Sequence, residues 1–131
     1  MNLKISALEY VHEIQNGNIS AEDYVAKTLE RIQSIDDNLH AFLSVNEEAV
    51  EQAQQIDKKI KSGDKVGACF GMPISIKDNL CIKGSKTTCA SKMLENFVAP
   101  YDATVITKLN QQDAIFVGKV NMDEFAMGLT T

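Results

Sequence analysis

The run Gly71-Met72-Pro73-Ile74-Ser75-Ile76-Lys77-Asp78-Asn79 gathers the side chains of this sequence best suited to chemistry. Met72, Ile74 and Ile76 alternate, which is the pattern of a strand with an apolar face. Ser75 and Lys77 then share the opposite face. A lysine at the end of a mostly apolar strand sits where burial would lower its pKa, and a lysine that is neutral near pH 7 acts as a base. The competing reading is a solvated lysine at a strand end, with no chemistry. Cys89 is a further nucleophile by residue type, but no histidine lies near it in sequence to activate it. With Cys69 and Cys81 the cysteine count is odd and without C-x-x-C spacing, and His12 and His40 lie far upstream. That pattern gives poor support to a zinc site and reads as reduced thiols, with both histidines structural or exposed.

The elements that must carry Lys77 follow from the spacing of apolar residues. Ser6-Ala7-Leu8-Glu9 has the form of a capping box, opening a helix with Leu8, Val11 and Ile14 on one face. Asn16-Gly17 would end it. Ser20 is the next N-cap, followed by Glu22 and Asp23, with Val25, Leu29, Ile32 and Ile35 at helical spacing. The expectation is two short amphipathic helices forming a packing hairpin. Ala41-Phe42-Leu43-Ser44-Val45 reads as a short strand. Asn46 is expected to cap a third helix that buries Ala49, Val50, Ala53, Ile56 and Ile60 and stops at Gly63. Residues 83–101 show no period, and Pro100 disfavours helix just before it. Asp102 reads as the N-cap of a helix over 103–111, with Val105, Ile106 and Leu109 inward. The apolar run Ala114-Ile115-Phe116-Val117-Gly118 suits a strand buried on both faces of a parallel sheet. Asn121 would cap a last short helix through Asp123, Glu124, Phe125 and Ala126, ending at Gly128.

This order predicts an α/β fold: N-terminal helices, then the start of a mixed, mostly parallel sheet covered by helices. Residues 1–63 read as a helical segment with one short strand, and residues 64–131 as the start of the α/β core of the same domain. The chain has 131 residues, 44% hydrophobic and 24% charged, which is enough for one small globular core. No stretch approaches the roughly 20 apolar residues of a membrane span, and no targeting segment is evident, so a cytoplasmic location is expected. The net charge of −5 argues against direct grip on nucleic acid. The one basic cluster, Lys58-Lys59-Ile60-Lys61, sits at an expected helix C-terminus and complements its dipole. The few strands counted, and the stop after Thr131, suggest part of a larger sheet.

The 71–79 run resembles the first block of the amidase signature family. Residues 87–97, Pro100-Tyr101-Asp102-Ala103-Thr104, and Asn121-Met122-Asp123-Glu124-Phe125-Ala126-Met127-Gly128 are similar to one branch of it. That branch supplies the glutaminase subunits of glutamyl-tRNA(Gln) amidotransferases. The resemblance implies an incomplete amidase-signature fold and amide hydrolysis by a Ser-Ser-Lys mechanism, with Lys77 as the lysine. Asp78 and Asn79 would support it by hydrogen bonding. Gly128, Thr130 and Thr131 would lie at the edge of the substrate pocket. The family's two serines occupy a Gly/Ser-rich loop that nothing here matches, so Ser75 is not the bridging serine and the chain alone is expected to be inactive. The resemblance further implies glutamine as substrate, two partner subunits in a heterotrimer, and Glu-tRNA(Gln) bound through a partner. ATP and Mg2+ would be used by that partner, with no cofactor and no metal in this chain. The alternatives are another amidase-signature hydrolase or a non-catalytic interaction module. Two departures from the family pattern stand out: Asp113, where glycine is more frequent, and Leu129, where a small polar residue is more frequent.

Overall fold

Ser6 opens helix α1 (Ala7–Gln15) with the predicted capping box: its hydroxyl accepts from the Glu9 amide and the Glu9 carboxylate accepts from its own amide. The computed structural model describes residues 2–128. The buried face of α1 differs from the expected one. Tyr10 and Ile14 are buried, while Leu8 is 76% exposed. Tyr10 wins the interior because both its ends are satisfied: its ring packs edge-on against Tyr24 and its hydroxyl donates to the Gly71 carbonyl at 2.7 Å.

Helix α2 (Ala21–Leu39) runs 19 residues, longer than its pattern suggested, and buries Val25 and Ile32. Ser20 caps it, and the Asp57 carboxylate accepts from the Ala21 and Glu22 amides as well. Strand β1 (Phe42–Val45) leads to α3 (Ala49–Ser62), which buries Ala49, Ala53 and Ile56 and stops at Gly63, where φ is 77°. Asn46 is not the N-cap of α3. Its amide donates to the Phe116 carbonyl at 2.8 Å and its oxygen accepts from Glu48 N–H, so it ties α3 to the sheet instead.

Strand β2 (Pro73–Lys77), helix α4 (Thr104–Asn110) and strand β3 (Ile115–Val120) complete the regular elements. The sheet order is β1-β3-β2, with β3 parallel to β2 and antiparallel to β1. β3 is the centre. Ile115 and Val117 join the core under α1–α3, and Phe116 joins Ile76 and Ile106 on the α4 side. Its register steps from Ile74↔Phe116 to Ser75↔Gly118, so Val117 is the extra residue of a β-bulge. Lys119 therefore pairs with Ile76 and falls on the α4 side of the sheet.

Two further caps are displaced. Asp102 does not cap α4, whose N-cap position is Ala103; its carboxylate accepts from Lys83 N–H at 2.7 Å. Val105 is exposed, leaving Ile106 as the deeply buried residue of α4. Asn121 caps nothing beyond the Met122 amide and donates to the His40 carbonyl. The expected last helix is a single 3-10 turn, Glu124–Ala126, broken by left-handed backbone at Phe125 (φ 52°).

Candidate active site

Lys77 ends β2, as predicted, and pairs with Val120 of β3. The next amide, Asp78 N–H, donates to the Val120 carbonyl at 3.1 Å, so the strand is held through its last residue. Ser75 and Lys77 share one face, and both are exposed. The burial expected for Lys77 is not found: its side chain makes no hydrogen bond or ion pair among the described residues. β2 is an edge strand of the described sheet, and Asn79 just beyond its end is exposed too.

Asp78 points the other way and is 2% exposed. One carboxylate oxygen lies 2.9 Å from Lys119 Nζ. The other accepts from the Thr88 amide at 2.8 Å and from its hydroxyl at 2.5 Å. Lys119 Nζ also donates to the Leu80 carbonyl at 2.9 Å and to the Lys86 carbonyl and Thr87 Oγ1, both at 3.2 Å. Every acceptor of Lys119 thus lies in the segment that follows Lys77. Burial alone would raise the Asp78 pKa, but the Thr88 hydroxyl, the Lys119 ammonium and the Thr88 amide outweigh it and hold the carboxyl below its usual range.

The same loop receives residues from further along the chain. Cys89 N–H donates to the Asp78 carbonyl at 3.2 Å, and Cys89 and Ala90 both take left-handed backbone. Phe125 N–H donates to the Cys89 carbonyl at 3.0 Å, and the Ser91 hydroxyl donates to the Glu124 carboxylate at 2.5 Å. The 124–126 turn is thereby fixed beside the loop after Lys77. Gly128 is exposed, and a Cβ there would sit 2.5 Å from Asp123 Cγ, so any side chain would require Asp123 to shift. Leu129, Thr130 and Thr131 lie outside the described residues.

Lys119 is the residue that the sequence pattern did not single out. A signal existed: a lysine directly after a fully apolar run must either leave the sheet or find buried partners. The three cysteines are free and half-buried, and among the described residues no three His, Cys, Asp or Glu side chains converge on a metal position. A wide cleft of about 910 Å³ opens beside β3, but Lys77 is not among its lining residues, so it is not the candidate site. No helix of the described residues is long and apolar enough to cross a membrane. The arrangement can present one lysine side chain from a rigid strand end next to a loop clamped by buried polar groups.

The sequence model of the amidase family matches residues 23–131. The chain is 52% identical over 126 residues to the glutamyl-tRNA(Gln) amidotransferase A-subunit of Cenarchaeum symbiosum, covering 96% of this chain and 26% of that protein. It is 50% identical over 127 residues to the protein of the same name in Chlamydia muridarum, covering 96% of this chain and 26% of that one. The chain therefore spans about a quarter of the length of these curated relatives. Among solved structures, a vestigial protein complex bearing on the origins of an s-triazine catabolic enzyme superposes with a TM-score of 0.91 at 31% identity, over 97% of this chain and 28% of that one. The peptide amidase of Stenotrophomonas maltophilia superposes with a TM-score of 0.87 at 24% identity, over 93% of this chain and 26% of that one; this likeness concerns the fold alone.

Proposed function

The chain belongs to the amidase family, and on that premise we propose that it is part of the glutaminase subunit of a tRNA-dependent amidotransferase, the enzyme that converts Glu-tRNA(Gln) to Gln-tRNA(Gln). The observation that carries this reading is the identity of 52% across 126 residues to a relative of that name, with Lys77 exposed at the end of β2. In this reading Lys77 is the base. It draws a proton through a bridging serine from a nucleophilic serine, which attacks the glutamine amide carbon and releases ammonia. Both serines belong to a Gly/Ser-rich loop that no residue of this chain matches, so the chain by itself does not hydrolyse glutamine. The loop would also bring N–H groups to the developing oxyanion.

To serve as the base Lys77 needs further chain packed around it, and the sheet face above Ser75 and Lys77 is where that chain would have to pack. Gly128, Thr130 and Thr131 would border the glutamine pocket. The ammonia would pass to a partner protein that activates Glu-tRNA(Gln) with ATP and Mg2+, and a second, smaller partner would complete a cytoplasmic heterotrimer.

The test uses the complete glutaminase polypeptide in complex with its partners. Lys77→Ala should abolish glutamine-dependent formation of Gln-tRNA(Gln), while added ammonium salt, which bypasses the glutaminase, should still support it. Near wild-type glutamine turnover in Lys77→Ala would remove Lys77 from the mechanism. Failure of the unmodified complex to use glutamine with Glu-tRNA(Gln), while it hydrolyses a simple aliphatic amide, would reassign the substrate within the family.

A further inference from the structure

We propose that Lys119 is a positioning residue for Lys77: through Asp78 and the 80–87 loop, its ammonium fixes the backbone on which the base is mounted. The inference rests on the reading of Lys77 as the base. Four observations carry it. Among the described residues no hydrogen bond or ion pair holds the Lys77 side chain, so within this structure only the backbone sets where that side chain starts and the direction of its Cα–Cβ bond. That backbone is gripped on one side by β3, through the Lys77↔Val120 pairing and the bond from Asp78 N–H to the Val120 carbonyl. On the other side the strand runs straight into Asp78, whose carboxylate is bound by Lys119 at 2.9 Å. The remaining donors of Lys119 are spent on Leu80, Lys86 and Thr87, closing the loop that leaves β2 back onto β3.

An apolar pair of similar size would hold the sheet together about as well, because a buried ion pair gains little net stability over hydrophobic packing. It would not define the direction of the chain after Lys77, since apolar contacts are not directional, whereas an ammonium with several fixed acceptors is. The bulge at Val117 completes the device: it places Lys119 on the α4 side, beneath the loop, while Lys77 stands on the opposite face. Lys119 is thus separated from the reacting groups by the sheet and acts only through the backbone.

The experiment is steady-state glutamine hydrolysis by the complete complex carrying Lys119→Met, with Lys77→Ala alongside. Per folded complex, kcat is expected to fall roughly 10- to 100-fold, the scale of a small misplacement of a catalytic group. KM for glutamine should stay within about twofold, because the lost interaction bears on the base and not on binding. Ammonium-dependent product formation should be unchanged. A purely structural role would lower the melting temperature and the yield while leaving kcat of the folded fraction at the wild-type value, and that result overturns the proposal. So does a matched rise in KM. If Lys119→Met does not fold, Thr87→Val decides: it removes one acceptor of Lys119 and should lower kcat roughly threefold or more at constant KM, and an unchanged kcat overturns the proposal. Should Lys77→Ala itself retain turnover, it is the reading of Lys77 that fails, whatever Lys119 does.

Discussion

Under α1–α3, Val25, Ala49, Ala53, Ile115 and Val117 meet in a cluster without a charged member. At the C-terminal ends of β2 and β3, Asp78, Lys119, Thr87 and Ser91 are buried just as deeply, and all four are polar. The first region is held by area removed from water, which is graded: trimming a methyl group removes a share of it. The second is held by a closed set of hydrogen bonds around two opposite charges, in which removing one member strands the others. Residues 78–103 contain no α-helix or named strand, yet the loop next to the candidate base is fixed by this set. A segment with neither α-helix nor strand can therefore be the more brittle of the two.

The largest break in this comparison is Asp78→Ala. It leaves the Lys119 ammonium buried beside carbonyls with no counter-charge and should cost roughly 3–5 kcal/mol of unfolding free energy. Urea unfolding measures it, and a loss below about 1 kcal/mol would mean that the two regions do not differ as described. Ile115→Val, in the apolar region, should cost only about 0.5–1.5 kcal/mol in the same measurement.

Acid separates the regions without mutation. The native Asp78 carboxyl is held below its ordinary value, so its contribution is fully present above the unfolded-state pKa of about 4 and is lost as pH falls through the lower native value. The melting temperature should drop more steeply below about pH 4 in the wild type than in Asp78→Asn, which has no such group to protonate. Equal slopes would remove Asp78 from the acid response. Smallest is Ser20→Ala, expected near the low end of cap losses, about 0.5 kcal/mol, because Asp57 already binds two of the amides at the start of α2. A loss of about 2 kcal/mol would show that the Asp57 cap adds nothing.

What was legible in the sequence follows the same division. The caps at Ser6 and Ser20, the stop at Gly63 and the buried run of β3 are local, written in residues a turn or less apart, and the structure has them. Asp102 and Asn121 look like caps by the same local criterion. The Asp102 carboxylate went to Lys83 N–H, a donor that the tertiary structure brings from 19 residues away, and the Asn121 oxygen to its own neighbour Met122 N–H, a local bond that competes with capping. Lys119 is the extreme case: its acceptors lie 32 to 41 residues upstream, and a bulge invisible to a period-two pattern chooses its face. Of the candidate site, the position of Lys77 at a strand end was readable, but its exposure was not, because exposure depends on what packs over the sheet.

Asp113 shows how a non-glycine residue is accommodated in glycine-like backbone. Its φ of 57° is the left-handed backbone that glycine adopts without strain. The carboxylate answers that strain with an ion pair to Lys59 at 2.8 Å and a bond from Gly67 N–H at 2.7 Å. Burial alone would raise its pKa; those two donors keep it lowered.

The bulge at Val117 gives β3 one residue more than its partner strand needs. Loss of that one residue would leave a regular strand in which Gly118, Lys119 and Val120 still stand opposite Ser75, Ile76 and Lys77, whereas a straight β3 that kept all its residues would turn the ammonium of Lys119 to the side of the base. β3 thus spends six residues where β2 spends five, and it is the unpaired sixth that decides which side of the sheet Lys119 serves.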